Sequence, residues 1–122
     1  MSRMQEILLK SKIHMAKVTD KSINYMGSIG IDVELLEKSN IKPYELVLVA
    51  DVNNGQRFVT YTIPEEKGSR KIVVNGAAAR LVEQGDRVII MAFGMYENDE
   101  YKGPRVLIMN EDNEVVEIRE GT

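Results

Sequence analysis

A glycine followed by a serine, Gly27-Ser28, lies in a run of short polar residues. Glycine has no Cβ and tolerates strained backbone angles, so its carbonyl can approach the next hydroxyl closely. That geometry would let Ser28 Oγ attack the Gly27 carbonyl carbon; a plain turn is the other reading of the pair. Lys12 and His14 sit two residues apart and would share one face of a strand, either lining a pocket or facing solvent. Arg57 and Tyr61 would share a face with Val59, and Thr60 would face the other way. An Arg holds a carboxylate through two parallel hydrogen bonds, and a Tyr can donate a proton. An exposed ion pair and cross-strand packing use the same residue types. Asn75-Gly76-Ala77-Ala78-Ala79 has small side chains at a strand-to-helix junction. They leave backbone N–H groups open to an anion, or they serve close packing.

The rest of the inventory excludes much. The chain has 122 residues, no Cys, no Trp and one His. A disulfide framework, a thiolate nucleophile and a Cys-based metal site are therefore absent. One His cannot build a multi-His metal centre, and no metal site is expected. Lys and Arg total 16 against 19 Asp and Glu, a net charge of −3. Nucleic-acid binding normally needs a basic patch, so no such partner is expected. No apolar run is long enough to cross a bilayer, so no membrane partner is expected. Residues 1–10 are too short and polar for a signal peptide, and a soluble cytoplasmic protein is expected.

These residues need elements to position them, and 122 residues suit one domain. Partial alternation predicts a strand over 12–19, with Ile13, Met15 and Val18 inward. Residues 20–30 read as loop with a short strand at 23–26. Asp32 is a helix N-cap, Leu35, Leu36 and Ile41 face the core, and Asn40 with Pro43 ends the helix. Strands follow at 45–51 and 56–63, joined by a type I′ turn at Asn54-Gly55, and Pro64 closes the second. A turn at 67–69, a strand at 71–74 and one or two helical turns at 76–82 come next. Three more strands are expected at 86–96, 105–109 and 114–119. The acidic run at 97–100 and the tail at 111–120 read as solvated surface. Many short strands with two small helices imply a barrel or sandwich, and a barrel removes sheet edges.

The order of the motifs carries more than any one of them. Lys12-Ile13-His14 precedes Tyr25-Met26-Gly27-Ser28-Ile29-Gly30-Ile31-Asp32. Then come Asn54-Gly55-Gln56-Arg57-Phe58-Val59-Thr60-Tyr61, Gly68-Ser69-Arg70, Val74-Asn75-Gly76-Ala77-Ala78-Ala79 and Gly85-Asp86. This order closely resembles the pyruvoyl-dependent aspartate 1-decarboxylases, closely over 12–90 and more loosely beyond.

The resemblance implies a mainly β fold, a double-psi β-barrel with small flanking helices, assembled as a homotetramer with active sites between subunits. It implies a single barrel domain, 1–122, made as an inactive proenzyme that cuts itself into 1–27 and 28–122. Ser28 would attack the Gly27 carbonyl, forming an ester. β-Elimination would free the Gly27 carboxylate, and hydrolysis of the resulting dehydroalanine would release ammonia and leave a pyruvoyl group. Thr60 aligns with the residue that helps the oxygen intermediate form. The pyruvoyl group would form a Schiff base with L-aspartate and accept electrons as the α-carboxylate leaves, the task pyridoxal phosphate performs elsewhere. Tyr61 aligns with the proton donor. The product would be β-alanine, for pantothenate and coenzyme A biosynthesis. Lys12 and Arg57 would hold the substrate carboxylates, with Thr60 and the backbone of Gly76, Ala77 and Ala78 completing the site. His14 and Asn75 would support it. Some bacterial relatives use a separate acetyltransferase-like maturation factor.

Two other readings of the residues compete. A non-catalytic barrel could bind a peptide or protein, since one fold hosts many functions. A carboxylate-dependent hydrolase would need two converging carboxylates, and no such pair stands outside the acidic surface runs.

Overall fold

The structure, a computed structural model, describes residues 4–97 and 99–121. The first three residues of the N-terminal segment and Asn98 of the acidic run lie outside the described residues. Eleven elements follow in order: β1 (Gln5–Lys17), β2 (Asp20–Ser22), β3 (Ser28–Asp32), α1 (Val33–Ser39), β4 (Leu46–Asp51) and β5 (Arg57–Glu65). Then come β6 (Ile72–Asn75), a 3-10 helix (Gly76–Leu81), β7 (Arg87–Glu97), β8 (Arg105–Met109) and β9 (Val115–Glu120). Among the described residues the strands form one sheet in the order β2-β6-β3-β5-β4-β7-β1-β8-β9. β3 runs parallel to β5, β2 to β6 and β1 to β8, while the other pairs are antiparallel. The mainly β architecture with small flanking helices is as expected.

The Thr19 N–H donates to Ile72 O at 2.9 Å, which ties the end of β1 to β6 and brings distant parts of the sheet order together. Inside lie Ile13, Ile29, Ile31, Ile72, Ile90 and Leu107, all fully buried. Each such side chain contributes about 1.5–3 kcal/mol of burial.

Several local expectations change. β1 begins at Gln5, not Lys12, because its first half forms a ribbon with β7 that pairs Ile7 with Met95 and Leu9 with Phe93. Its alternation is imperfect for a physical reason. A bulge between Ile13 and Ala16, with Met15 at φ 67, shifts the phase by one residue. Ile13, Ala16 and Val18 are therefore buried and Met15 is not.

The expected strand at 23–26 is absent. The chain pairs with β6 earlier, at Asp20–Ser22, and then makes an exposed turn with Ile23, Tyr25 and Met26 outward. Ser28–Asp32, expected to be mostly loop, is a wholly buried strand between β5 and β6. A strand covered on both faces shows no polar alternation, so its pattern is silent. An added Cβ at Gly30 would meet the end of the Glu65 side chain, which would have to swing aside.

Asp32 caps α1 as expected, accepting from Glu34 N at 2.8 Å. The same carboxylate accepts from Gly68 N at 3.0 Å and Arg70 N at 2.8 Å, so it also fastens the 67–70 turn. Leu35, Leu36 and Ile41 are buried, and Asn40 ends the helix at φ 60.

The β4–β5 connection is not a type I′ turn. Only Gly55 has a positive φ, and the loop closes through Gly55 N to Asp51 O and Asp51 N to Gln56 O, both 2.8 Å. Side chains redirect the backbone: Asp51 Oδ1 accepts from Asn53 N, Asn54 Oδ1 from Gln56 N, and Asn54 Nδ2 donates to Leu81 O, all at 2.8 Å. Pro64 lies within β5 rather than closing it. β4 pairing stops at Tyr61, so Pro64 sits where β5 has a neighbour on one side only, and an edge tolerates the missing N–H.

Candidate active site

Ser28 opens β3, only 1 % exposed, in antiparallel register with Asn75 of β6. Asn75 Nδ2 donates to Ser28 Oγ at 3.0 Å. The Ser28 hydroxyl faces Met26 O at 3.5 Å, the outer limit of a hydrogen bond. The hydroxyl is thus oriented by a donor while its own proton is loosely held. An ideal Cβ on Gly27 would meet nothing within 4 Å, so space is open around that residue.

Gly76 presses on the other side of the junction. It has φ +72, and a Cβ there would lie 2.6 Å from Gly27 Cα, 2.8 Å from Gly27 N and 3.1 Å from Tyr25 O. Only glycine permits both the backbone angle and the approach. Ala77 is exposed and Ala78 half-buried at the start of the 3-10 helix.

Ser28 and Tyr61 occupy adjoining positions. The parallel register pairs Ile29 with Thr62, and one step back on each strand are Ser28 and Tyr61. Tyr61 is 37 % exposed, and its ring stacks on Tyr44, centroids 6.4 Å apart. Thr60 points to the opposite face, half-buried, opposite Val47 of β4.

Arg57 and Lys12 share the outer face of the sheet with Tyr61 but not its neighbourhood. Arg57 is four residues back along β5, about 13 Å at the rise of a strand. Lys12 ends the cross-strand row Val59–Leu48–Met91–Lys12. Three strand spacings place it about 14 Å from β5. Among the described residues neither side chain has a hydrogen bond or an ion pair. His14 lies near Lys12 with Nδ1 buried and unpartnered. Burial first, then the charges of Lys12, Arg87 and Arg119, holds its pKa below the usual 6.5, so the imidazole is neutral at pH 7.

Two further groups were not singled out from the sequence. Tyr44 sits at φ 68 beside Tyr61, and the signal available was Lys42-Pro43-Tyr44-Glu45, a Pro-X turn that also ends a helix. Asp51, at the base of the hairpin that starts β5, is 1 % exposed, and its Oδ2 has no donor. Burial and the facing carboxylate of Asp86 push its pKa up to about 6. Among the described residues no three His, Asp or Glu gather as metal ligands. A cleft of about 770 Å³, lined by residues such as Lys17, Arg70 and Gln84, lies elsewhere. A smaller one of about 310 Å³ is lined by Asp20, Tyr25, Ile63, Glu65 and Asn75 among others.

Comparison with known proteins adds independent information. Residues 4–116 match the family model described as aspartate decarboxylase. The chain is 86 % identical over 117 residues to the aspartate 1-decarboxylase of Thermosipho africanus, covering 96 % of this chain and 98 % of that one. It is 70 % identical over 116 residues to that of Fervidobacterium nodosum, covering 95 % and 100 %. Identity to that of Staphylococcus aureus is 50 % over 113 residues, covering 91 % and 89 %. Among solved structures, the computationally designed msDPBB_sym2 protein aligns with a TM-score of 0.46 at 19 % identity, over 71 % of this chain and 99 % of that one.

Proposed function

Because the chain belongs to the aspartate decarboxylase family, we propose that it removes the α-carboxylate of L-aspartate as CO₂ after cutting its own backbone between Gly27 and Ser28. The product is β-alanine, a precursor of pantothenate and coenzyme A, formed in the cytoplasm on a double-psi β-barrel. The observation that carries the reading is the Gly27–Ser28 junction. A buried serine hydroxyl, oriented by Asn75, adjoins a glycine with open space around it and a second glycine pressed against its backbone.

The junction fits the origin of a pyruvoyl group. Ser28 Oγ accepts from Asn75, so its lone pairs and rotamer are constrained, while the Met26 carbonyl is the nearest acceptor for its proton. In the proposed cut Ser28 Oγ adds to the Gly27 carbonyl carbon and the C–N bond breaks, giving an ester. Elimination of the Gly27 carboxylate gives dehydroalanine, and water then hydrolyses it, releasing ammonia and leaving the pyruvoyl group on residue 28. The part in the oxygen intermediate given to Thr60 rests on the family resemblance, since its side chain lies on the opposite face of β5 from Tyr61. The group then supplies an electron sink for the departing carboxylate.

The chain's own side chains do the rest. Lys12 and Arg57 hold the two substrate carboxylates; the lack of an ion pair to either among the described residues leaves their charge free for this. Tyr61 delivers the proton to Cα. The backbone at Thr60, Gly76, Ala77 and Ala78 lines the site. Neutral His14 cannot compete with Lys12 for a carboxylate. Lys12 lies about 14 Å from β5 within its own chain. We therefore assign the working site to a subunit boundary in a homotetramer, with Lys12 from one protomer and Tyr61 from another. Exposed Leu46, Val59, Phe93 and Met95 on β4, β5 and β7 supply apolar surface for such contacts.

The test is the intact mass of the denatured protein together with CO₂ release from aspartate. Fragments 1–27 and 28–122 with a blocked N-terminus on the larger one are expected, and Ser28→Ala stays in one piece. A time course in cell extract separates unaided cutting from cutting triggered by a maturation factor. A wild-type chain that stays whole in both settings and releases no CO₂ overturns the reading.

A further inference from the structure

We propose that Tyr44 is a positioning residue for Tyr61, a tyrosine kept in a strained turn so that its ring holds the proton-donating phenol in place. The proposal rests on the role given to Tyr61 above.

The turn 42–45 closes through Glu45 N to Lys42 O at 3.2 Å. Pro43 takes the second position, where its fixed φ suits a type II turn. Tyr44 takes the third, at φ 68. That position needs a left-handed backbone and favours Gly or Asn, because a Cβ crowds the following carbonyl. Tyrosine there is a local conflict, and burial does not explain it, since Tyr44 is 73 % exposed.

The backbone of the turn is pinned to the residue next to Tyr61. Tyr44 N donates to Thr62 O at 2.8 Å, Thr62 N to Glu45 O at 3.1 Å, and Thr62 Oγ1 to Lys42 O at 2.7 Å. Thr62 is fully buried. This anchoring fixes where the Tyr44 side chain starts, and its ring then lies on the Tyr61 ring with an interplanar angle of 26°. Among the described residues no hydrogen bond holds Tyr61 Oη. The stacked ring is therefore the specific contact that limits the rotation of a partly exposed phenol. Strain retained at a turn beside a reacting group is the pattern expected of pre-organisation.

The experiment compares the processed wild type with Tyr44→Phe, Tyr44→Gly and Tyr44→Asn. Gly and Asn both accept the left-handed backbone, so both variants should be cut normally and melt no lower than wild type. Their kcat should fall about tenfold to a hundredfold, with aspartate KM within about twofold, as for a donor displaced by a fraction of an ångström. Tyr44→Phe keeps the ring and should retain near wild-type kcat. Carbon-13 labelled tyrosine NMR, with Tyr61→Phe for assignment, should show a Tyr61 ring locked in wild type and Tyr44→Phe and averaged in Tyr44→Gly. Wild-type kcat in Tyr44→Gly and Tyr44→Asn, equal loss in Tyr44→Phe, or a lower melting point in both turn-compatible variants overturns the proposal. A wild type inactive on aspartate overturns the functional reading instead, and the ring measurement still decides whether Tyr44 positions Tyr61.

Discussion

Replacing Gly76 with alanine puts a methyl group 2.6 Å from Gly27 Cα and 2.8 Å from Gly27 N. Carbon atoms pack at about 3.5–4.0 Å, so one of the two backbone segments must move by about 1 Å. The left-handed φ of +72 adds a separate cost. It amounts to about 1–2 kcal/mol for any L side chain. Overpacking against backbone adds about 1–3 kcal/mol. The sum, about 2–5 kcal/mol, lowers the melting temperature by about 10–20 °C and leaves most of the protein folded at about 25 °C. The displacement falls on the residue whose carbonyl is proposed to be attacked, and a 1 Å error in such a geometry costs about 10²-fold. Self-cleavage of Gly76→Ala should therefore slow about a hundredfold, read as the fraction of whole chain against time by mass of the denatured protein. Gly55→Ala is the matched control. Gly55 has nearly the same φ, +77, but nothing within 4 Å of the added Cβ. It should lose the backbone share of stability and process at the wild-type rate. Gly76→Ala cutting as fast as wild type would refute the claim that Gly76 shapes the junction. Equal melting losses in the two variants would refute the overlap argument.

Tyr61→Phe should be cut between Gly27 and Ser28 like the wild type yet decarboxylate about 10²–10⁴-fold more slowly, the usual weight of a proton donor; failure to process would show that the phenol acts in the cut instead. Asp32→Ala strips the acceptor from three backbone N–H groups, those of Glu34, Gly68 and Arg70. A loss of about 3–4 kcal/mol in a denaturant titration is expected, and a loss under about 1 kcal/mol would contradict the accounting. Asp51 holds its proton to about pH 6 in the fold against 3.8 as the ordinary value. Between those values the unfolded chain has released a proton the folded chain retains, so stability falls as pH rises from about 4 to about 6 and is flat above. The gap is worth up to about 3 kcal/mol. Asp51→Asn should be more stable than wild type above pH 6 and converge with it near pH 4; parallel stability curves for the two proteins would sink this assignment.

Legibility differed by element. The cap at Asp32 and the buried Leu35 and Leu36 were readable because a helix start is set by residues within one turn. Strands β4, β8 and β9 were readable from short apolar or alternating runs between turn residues. β3 was not, since a strand between two others is apolar on both sides. The expected I′ turn failed because Asp51 and Asn54 bond the loop backbone themselves. Among the candidate site residues, Lys12, His14, Arg57 and Tyr61 were rightly placed on strands. Their separation across the sheet was invisible, because β1 reaches β5 only through β7 and β4.

By itself the sequence determined the residue types and their order along the chain. Those selected the family and excluded thiolate and multi-His chemistry without any knowledge of shape. Local rules also set the capped helix and the positions of most turns, since the interactions involved span only a few residues. The tertiary structure alone decided that Asn75 meets Ser28 across 47 residues, that Gly76 presses on Gly27, and that a tyrosine in a glycine-favouring turn lies on Tyr61. These contacts depend on strand register and on backbone angles stabilised by distant partners. No spacing in the chain encodes them, because they come into being only when the whole sheet closes.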